Sequence, residues 1–260
     1  MSDPSLSERS PLSAAINEFW LAWTFLTRLP ALGALDYSPD ALNRAARFFP
    51  WVGFVLGLLQ ALAYSLALSL FDNVWLASMT SVMLGVLLTG AFHEDGFADY
   101  CDSFGGQDVS SRLRIMTDSR LGTFGVAGLF FILGFRVLLI ATLPGTVVIA
   151  AIILSATLSR WLAISLMLNT PYAKSEGKSK PLANAINPRA LLIGALPLLP
   201  LFIFVNITVL ICVCVTLALF RVGFSAQLRQ RLGGFTGDAL GAAQQIAEVL
   251  VYSCMVALAV

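Results

Sequence analysis

Long runs without a charged side chain constrain this chain more than any other feature. Residues 48–71, 73–92 and 190–220 carry none, in runs of 24, 20 and 31 residues. A helix needs about 20 apolar residues to cross the hydrocarbon of a bilayer. No water is available there, so every backbone N–H and C=O must be satisfied within the protein. Helices or closed barrels are the only solutions. Here the apolar runs are continuous rather than alternating, which points to helices.

The first two runs predict two spans joined by a tight turn at residues 71–74. A third span is expected over residues 121–141, carrying Arg136, and a fourth over residues 145–168, carrying Arg160. Residues 190–220 exceed one level helix and are interrupted by Pro197, Pro200 and Asn206. Two spans meeting near Val205 and Asn206 fit better. The last span covers residues 239–260, with Glu248 near its middle. The apolar segment 19–25 is too short to cross and is expected to lie at the interface or to re-enter. The expected fold is therefore all-α: a polytopic membrane helix bundle of about seven transmembrane helices plus an N-terminal interfacial or re-entrant helix. Residues 1–260 form one integral membrane catalytic domain in this reading.

Charge gives the orientation. With seven spans, fourteen of the sixteen basic residues fall on one side, and Asp72 is the only charged residue in the opposite turns. That excess marks the cytoplasmic face. A net charge of +1 leaves no basic surface for nucleic acid. Cys101, Cys212, Cys214 and Cys254 match neither a zinc-ligand spacing nor a secreted disulfide framework. The polar N-terminal stretch lacks a basic region followed by an apolar core, so no cleaved signal peptide is expected.

In so uncharged a chain, the acids of TGAFHEDGFADYCDSFGG, residues 89–106, require an explanation. Asp95, Asp99 and Asp102 are spaced by four and three residues, so a helix projects them from one face, where their oxygens can share a hard cation such as Mg2+. Glu94 points elsewhere on a regular helix but belongs to the same candidate metal group. His93 is a candidate phosphate ligand or proton relay. A hydrated, negatively charged helix end is the plain alternative.

Two further blocks are expected on the same face. RIMTDSRLGTFG, residues 114–125, offers Arg114 and Arg120 to phosphate, and Asp118 to complete a metal shell or orient a hydroxyl. RLGGFTGDALGA, residues 231–242, offers Arg231, Thr236 and Asp238 around a glycine turn. Thr236 or Asp238 could also cap the following helix. Arg28, Lys174 and Lys180 complete the candidate anion-binding set. Arg136 and Arg160 suit either ion pairs with acids or contact with phosphate. An acid-rich, arginine-bordered site in a membrane bundle suits attack on a phosphoanhydride. It equally suits an ion-coupled transporter.

FLTRLP at residues 25–30, RFFPWVG at 47–53, GAFHEDGFADYCDSFGG at 90–106, RIMTDSRLGTFG at 114–125 and GGFTGDALGA at 233–242 closely resemble the cobalamin synthase family. The resemblance implies transfer of the adenosylcobinamide phosphoryl group from adenosylcobinamide-GDP to alpha-ribazole or alpha-ribazole 5'-phosphate. The products would be adenosylcobalamin or its phosphate, and GMP. It further implies Mg2+ and residence in a bacterial cytoplasmic (inner) membrane; a homo-oligomer is compatible. Asp95 and Asp99 are then the leading metal ligands. One departure is Glu94, in HEDG, where the family commonly has an apolar residue. CDP-alcohol phosphotransferases also use clustered aspartates to expel a nucleotide, but Ala98 is followed here by Asp99 rather than by their arginine.

Overall fold

The computed structural model describes residues 10–173 and 186–258. Helix α1, Pro11–Leu26, is capped by Ser10, whose hydroxyl accepts from the Ser13 N–H at 3.2 Å. It contains the short apolar segment expected at the interface. Its packed face buries Glu18, whose carboxylate meets Arg44 and Arg47 at 2.7 Å each. Helix α2, Pro39–Ala45, runs through a tight turn into α3, Phe49–Phe71. Asp72, left-handed at φ 48°, ends α3, and the Asn73 side chain caps α4, Val74–Thr89. The tight turn of the sequence reading is thus built from one left-handed residue and one cap.

At the end of α4, Gly90 and Ala91 both take left-handed backbone, φ 64° and 57°. Two such residues in succession turn the chain, and α5, Phe92–Asp102, leaves at 90° to α4. A non-glycine residue in this region costs roughly 1–2 kcal/mol, and such strain tends to collect at functional sites. Then come α6, Val109–Ile115; α7, Thr123–Thr142; α8, Val148–Leu166; α9, Pro188–Ala195; a 3-10 stretch, Leu196–Ile203; α10, Ile207–Leu232; and α11, Gly237–Leu258. The described residues contain no strand beyond one isolated bridge between Tyr172 and Phe235.

Helix α8 is the axis of the bundle, with all but two of its residues buried. Gly53 and Gly57 of α3 let that helix approach α8 closely: a Cβ at Gly57 would lie 2.8 Å from the Ile153 Cα. Helix α11 fills the other side, against α5, α7, α8 and α10. Around this core, Leu58, Leu62 and Leu66 of α3, Phe130, Phe131 and Phe135 of α7, and Ile211, Val215 and Leu219 of α10 face outward. On a water-soluble protein such a belt would aggregate; on a bundle in lipid it is the solvated surface.

Five helical stretches are long and apolar enough to cross a membrane, and six if the bent α4–α5 pair counts as one. The expected seventh, over residues 190–205, is an irregular 16-residue piece, Pro188–Ile203. Pro197 and Pro200 cannot donate to an α-helical ladder, and its second half is 3-10 helix. That form rises about 2.0 Å per residue against 1.5 Å, so the piece spans roughly 28 Å. It carries the chain from the level of Trp51 and Trp161, whose indoles donate to the Ile193 and Leu191 carbonyls at 3.0 Å each, to the start of α10.

Candidate functional site

The bend at Gly90–Ala91 sets α5 across the end of the bundle. Its outward face, with Ala91, Asp95, Ala98 and Asp99, forms one wall of a cleft of about 400 Å³. Residues 116–121, between α6 and α7, form the other wall and bring Asp118 and Arg120 to it. A second opening, lined by Arg114, Thr117, Asp118 and Arg120, adjoins the first through the residues they share. The structure therefore brings together Asp95, Asp99, Asp118, Arg114 and Arg120 from two blocks some fifteen residues apart in sequence. Arg120 grips Asp118 through Nη2–Oδ2 at 2.6 Å and Nε–Oδ1 at 3.0 Å. These hydrogen bonds hold the Asp118 carboxyl down at a pKa of about 2. The Arg120 side chain is 87% exposed, so this is a surface pair that can exchange its anion.

Asp102 corrects the expectation that it joins the metal acids. Its Oδ2 accepts from the Gly122 N–H and its Oδ1 from the Gly125 N–H, both at 2.7 Å. Gly122 is the N-cap of α7, which has no side-chain cap of its own, so Asp102 caps that helix from a neighbouring one. The glycines of RLGTFG follow: a Cβ at Gly125 would lie 2.5 Å from the Asp102 carboxylate. The carboxylate fixes the wall that carries Asp118 and Arg120.

Glu94 is also corrected. It lies at the floor of the cleft, 6% exposed, with Oε1 accepting from Gln245 Nε2 at 2.9 Å and 3.6 Å from Arg136 Nη1. Behind it, Arg136 Nη2 meets Glu248 Oε2 at 2.6 Å, and Arg160 Nη1 lies 3.6 Å from Glu248 Oε1. Gln244 and Ser159 complete this buried network. Two arginines balance two glutamates here, so Glu94 already has its counter-charge. The ion-pair reading of Arg136 and Arg160 is the one the structure adopts. Sequence reasoning missed Gln244 and Gln245, although two amides within four residues of Glu248 in an apolar helix were the available signal.

His93 is buried beside Arg160 and Gln244 at a small cavity and does not line the acid cleft. It cannot serve as phosphate ligand or relay in the cleft as placed. Thr236, fully buried, accepts from the Ala239 N–H at 3.1 Å. It is a helix cap, and its expected ligand-facing role is withdrawn. Gly234 brings the same turn against the Pro171 carbonyl, and Phe235 N–H donates to Pro171 O at 2.8 Å. Asp238 starts α11 where that helix crosses α5: a Cβ at Gly96 would lie 2.8 Å from the Asp238 Cα. Arg231 packs over Phe104 at 4.1 Å, outside the residues that line the acid cleft. Arg28 lines a separate cleft on the α1 side. Lys174 and Lys180 lie outside the described residues.

No three His, Cys, Asp or Glu side chains among the described residues form a ready-made metal cage, so the expected four-acid site is not preassembled. Mg2+ commonly takes only one or two carboxylates and completes its shell with water and substrate phosphate. Asp95 and Asp99, on one cleft wall within reach of an arginine-lined opening, fit a cation that arrives with a phosphate.

Comparison with known proteins agrees with this chemistry. A family model described as cobalamin-5-phosphate synthase matches residues 18–256. The chain is 42% identical over 243 residues to an adenosylcobinamide-GDP ribazoletransferase of Vibrio cholerae, covering 92% of this chain and 93% of that protein. Its identity to the protein of the same name from Ralstonia nicotianae is 41% over 248 residues, covering 92% and 95%. For the Vibrio parahaemolyticus protein it is 39% over 264 residues, covering 99% and 98%. No solved structure matches the chain.

Proposed function

The chain belongs to the cobalamin-5-phosphate synthase family, and from that membership we propose that it is a membrane-embedded adenosylcobinamide-GDP ribazoletransferase. It transfers the adenosylcobinamide phosphoryl group from adenosylcobinamide-GDP to alpha-ribazole or its 5'-phosphate. The products are adenosylcobalamin or its 5'-phosphate, and GMP. The observation that carries the reading is the match over residues 18–256. The cleft that joins Asp95 and Asp99 to Arg120, with Arg114 in the adjoining opening, supports it chemically. Family membership favours transfer over the CDP-alcohol phosphotransferase and transporter readings.

In this mechanism, an acceptor hydroxyl oxygen bonds to the phosphorus that bears the cobinamide. The anhydride bond to GMP breaks, and GMP leaves with the bridging oxygen. Arg114 and Arg120 hold the diphosphate, Arg120 exchanging Asp118 for a phosphate oxygen. Asp95 and Asp99, on the opposite wall of the cleft, are placed to take the hydroxyl proton. Asp95 and Asp99 would also hold Mg2+, which when bound neutralises the phosphate oxygens and the departing nucleotide. Asp102 acts indirectly, by fixing the residue 116–121 wall.

The membrane is the bacterial cytoplasmic one, with the cleft facing the cytoplasm. Arg28, Arg44, Arg47, Arg112, Arg114, Arg120, Arg229 and Arg231 gather at the cleft end, while Asp72 is the charged residue of the opposite turns. The test is GMP release by the purified protein in liposomes with adenosylcobinamide-GDP and Mg2+, with and without acceptor. GMP should appear one for one with corrinoid product and only with acceptor. Asp95→Asn and Asp99→Asn should each lower the rate by about 100-fold or more while the protein stays folded. GMP release indifferent to acceptor would overturn the reading.

A further inference from the structure

We propose that the cleft on the α1 side of the bend is the subsite for an acceptor phosphomonoester, with the Arg28 guanidinium as its anion ligand. The inference rests on the transferase reading and extends it to a question that reading leaves open. The family description names a phosphorylated product and the relatives' names a ribazole acceptor, so acceptors with and without a 5'-phosphate are both in play.

Two clefts flank the bend. Ala91 and Asp95 line the acid cleft, while Thr89 and Phe92 line a second one of about 390 Å³, together with Thr24, Thr27, Arg28 and Tyr37. Thr89 and Ala91 are two residues apart, so the clefts sit within roughly 7 Å of each other along the backbone. That spacing is shorter than a ribonucleoside 5'-phosphate.

The second cleft has one charged lining residue, Arg28, beside the rings of Phe25, Tyr37 and Phe92. The hydroxyls of Thr24, Thr27 and Thr89 each donate to a helix carbonyl, at 3.0, 2.8 and 3.0 Å. Arg28 supplies the charged donors, and among the described residues its side chain has neither a hydrogen-bond nor an ion-pair partner. Its position is nevertheless fixed. The Arg28 N–H donates to the Leu88 carbonyl at 2.8 Å, and its stem lies along Gly90, where a Cβ would come within 2.6 Å of Arg28 Cγ. Tyr37, 60% exposed, and Phe92 offer ring faces beside it. A held but uncommitted guanidinium is suited to bidentate phosphate binding. An arginine merely closing the end of α4, by contrast, would be indifferent to the acceptor.

The experiment compares alpha-ribazole 5'-phosphate with alpha-ribazole as acceptors, for wild type, Arg28→Gln and Arg28→Lys, in neutral phosphatidylcholine liposomes. Arg28→Gln should raise KM for the phosphorylated acceptor by about tenfold or more and leave KM for the other within about twofold. Arg28→Lys should fall between, because it keeps the charge and loses the fork. Arg114→Gln should disturb the donor and treat both acceptors alike. Equal shifts for both acceptors in Arg28→Gln, or none, would overturn the assignment. So would an Arg28 effect that appears only when anionic phosphatidylglycerol is added, since that identifies a lipid headgroup as the anion. Calorimetric titration of the two acceptors gives the same comparison without turnover. A wild type that bound the phosphorylated acceptor through Arg28 yet released no GMP would sink the transferase reading alone.

Discussion

Arg136 is the position whose loss the structure converts most directly into a number. It is 3% exposed in α7, against Glu248 at 2% and Glu94 at 6%. Its guanidinium meets Glu248 at 2.6 Å, the Gln245 amide oxygen at 3.0 Å and Glu94 at 3.6 Å. With Arg160, the four charges cancel. Arg136→Gln leaves two buried carboxylates facing only Arg160, which already donates to the Ala156 carbonyl at 2.8 Å. Breaking a buried pair from one side costs about 3–5 kcal/mol, because the remaining charge has neither partner nor water. At roughly 2–4 °C per kcal/mol for a chain of this size, the thermal midpoint should fall by about 6–20 °C. The assay is thermal unfolding in detergent by circular dichroism, at one scan rate throughout. Adding Glu248→Gln restores the charge balance, so the double variant should be less destabilised than the sum of the singles, with a coupling of about 1–3 kcal/mol. A single-variant loss under about 1 kcal/mol, or strict additivity, would refute the view that these charges are held as one neutral set.

Other outcomes follow from individual contacts. Asp102→Ala orphans two N–H groups at the start of α7 and should cost about 1–2 kcal/mol; because it also frees the residue 116–121 wall, kcat should fall while Mg2+ affinity changes little. Unchanged kcat in that variant would argue against Asp102 as the staple of the wall. In Arg120→Gln, Asp118 loses the side-chain hydrogen bonds but keeps the residue 120 N–H, and should titrate above 2, part of the way to its ordinary value of 3.8, read by carboxyl 13C NMR. The sign is fixed by the depressed pKa: the wild-type pair contributes above pH 3.8 and fades as pH falls through about 2. An identical titration in both proteins would remove Arg120 as the cause. Gly53→Val drives a side chain into the Ala156 carbonyl and the Arg160 stem and should cost about 1–3 kcal/mol, whereas Gly134→Ala, with nothing within 4 Å of its Cβ, should be neutral.

The sequence made some of this legible and hid the rest for identifiable reasons. Apolar runs set the helices, because lipid leaves the backbone few alternatives. The irregular span was hidden in part: Pro197 and Pro200 announce a break but not that 3-10 geometry would stretch the piece. The bend was hidden almost entirely, since residues 73–102 read as one apolar run entering an acidic helix. Gly90 permits a left-handed turn, but nothing local predicts that Ala91 will follow it at φ 57°. Spacing placed Asp95, Asp99 and Asp102 on one face correctly. It could not say that α7 would bring two unsatisfied N–H groups to Asp102, because that partner lies 20 residues away.

The same bend explains why acids of similar sequence context take different roles. Helix α5 lies across the bundle end, so its inner face, with His93 and Gly96, meets α11, while its outer face, with Asp95 and Asp99, meets the polar boundary. Glu94 falls between these faces. A carboxylate there would be costly in a low-dielectric floor, and Arg136, Gln245 and the rest of the network supply what water cannot. Were α5 to continue straight along α4, its acids would be carried away from the residue 116–121 wall and Asp102 could not cap α7. The bend, more than the acidic motif alone, is therefore what sets two carboxylates beside two arginines at the edge of the bilayer.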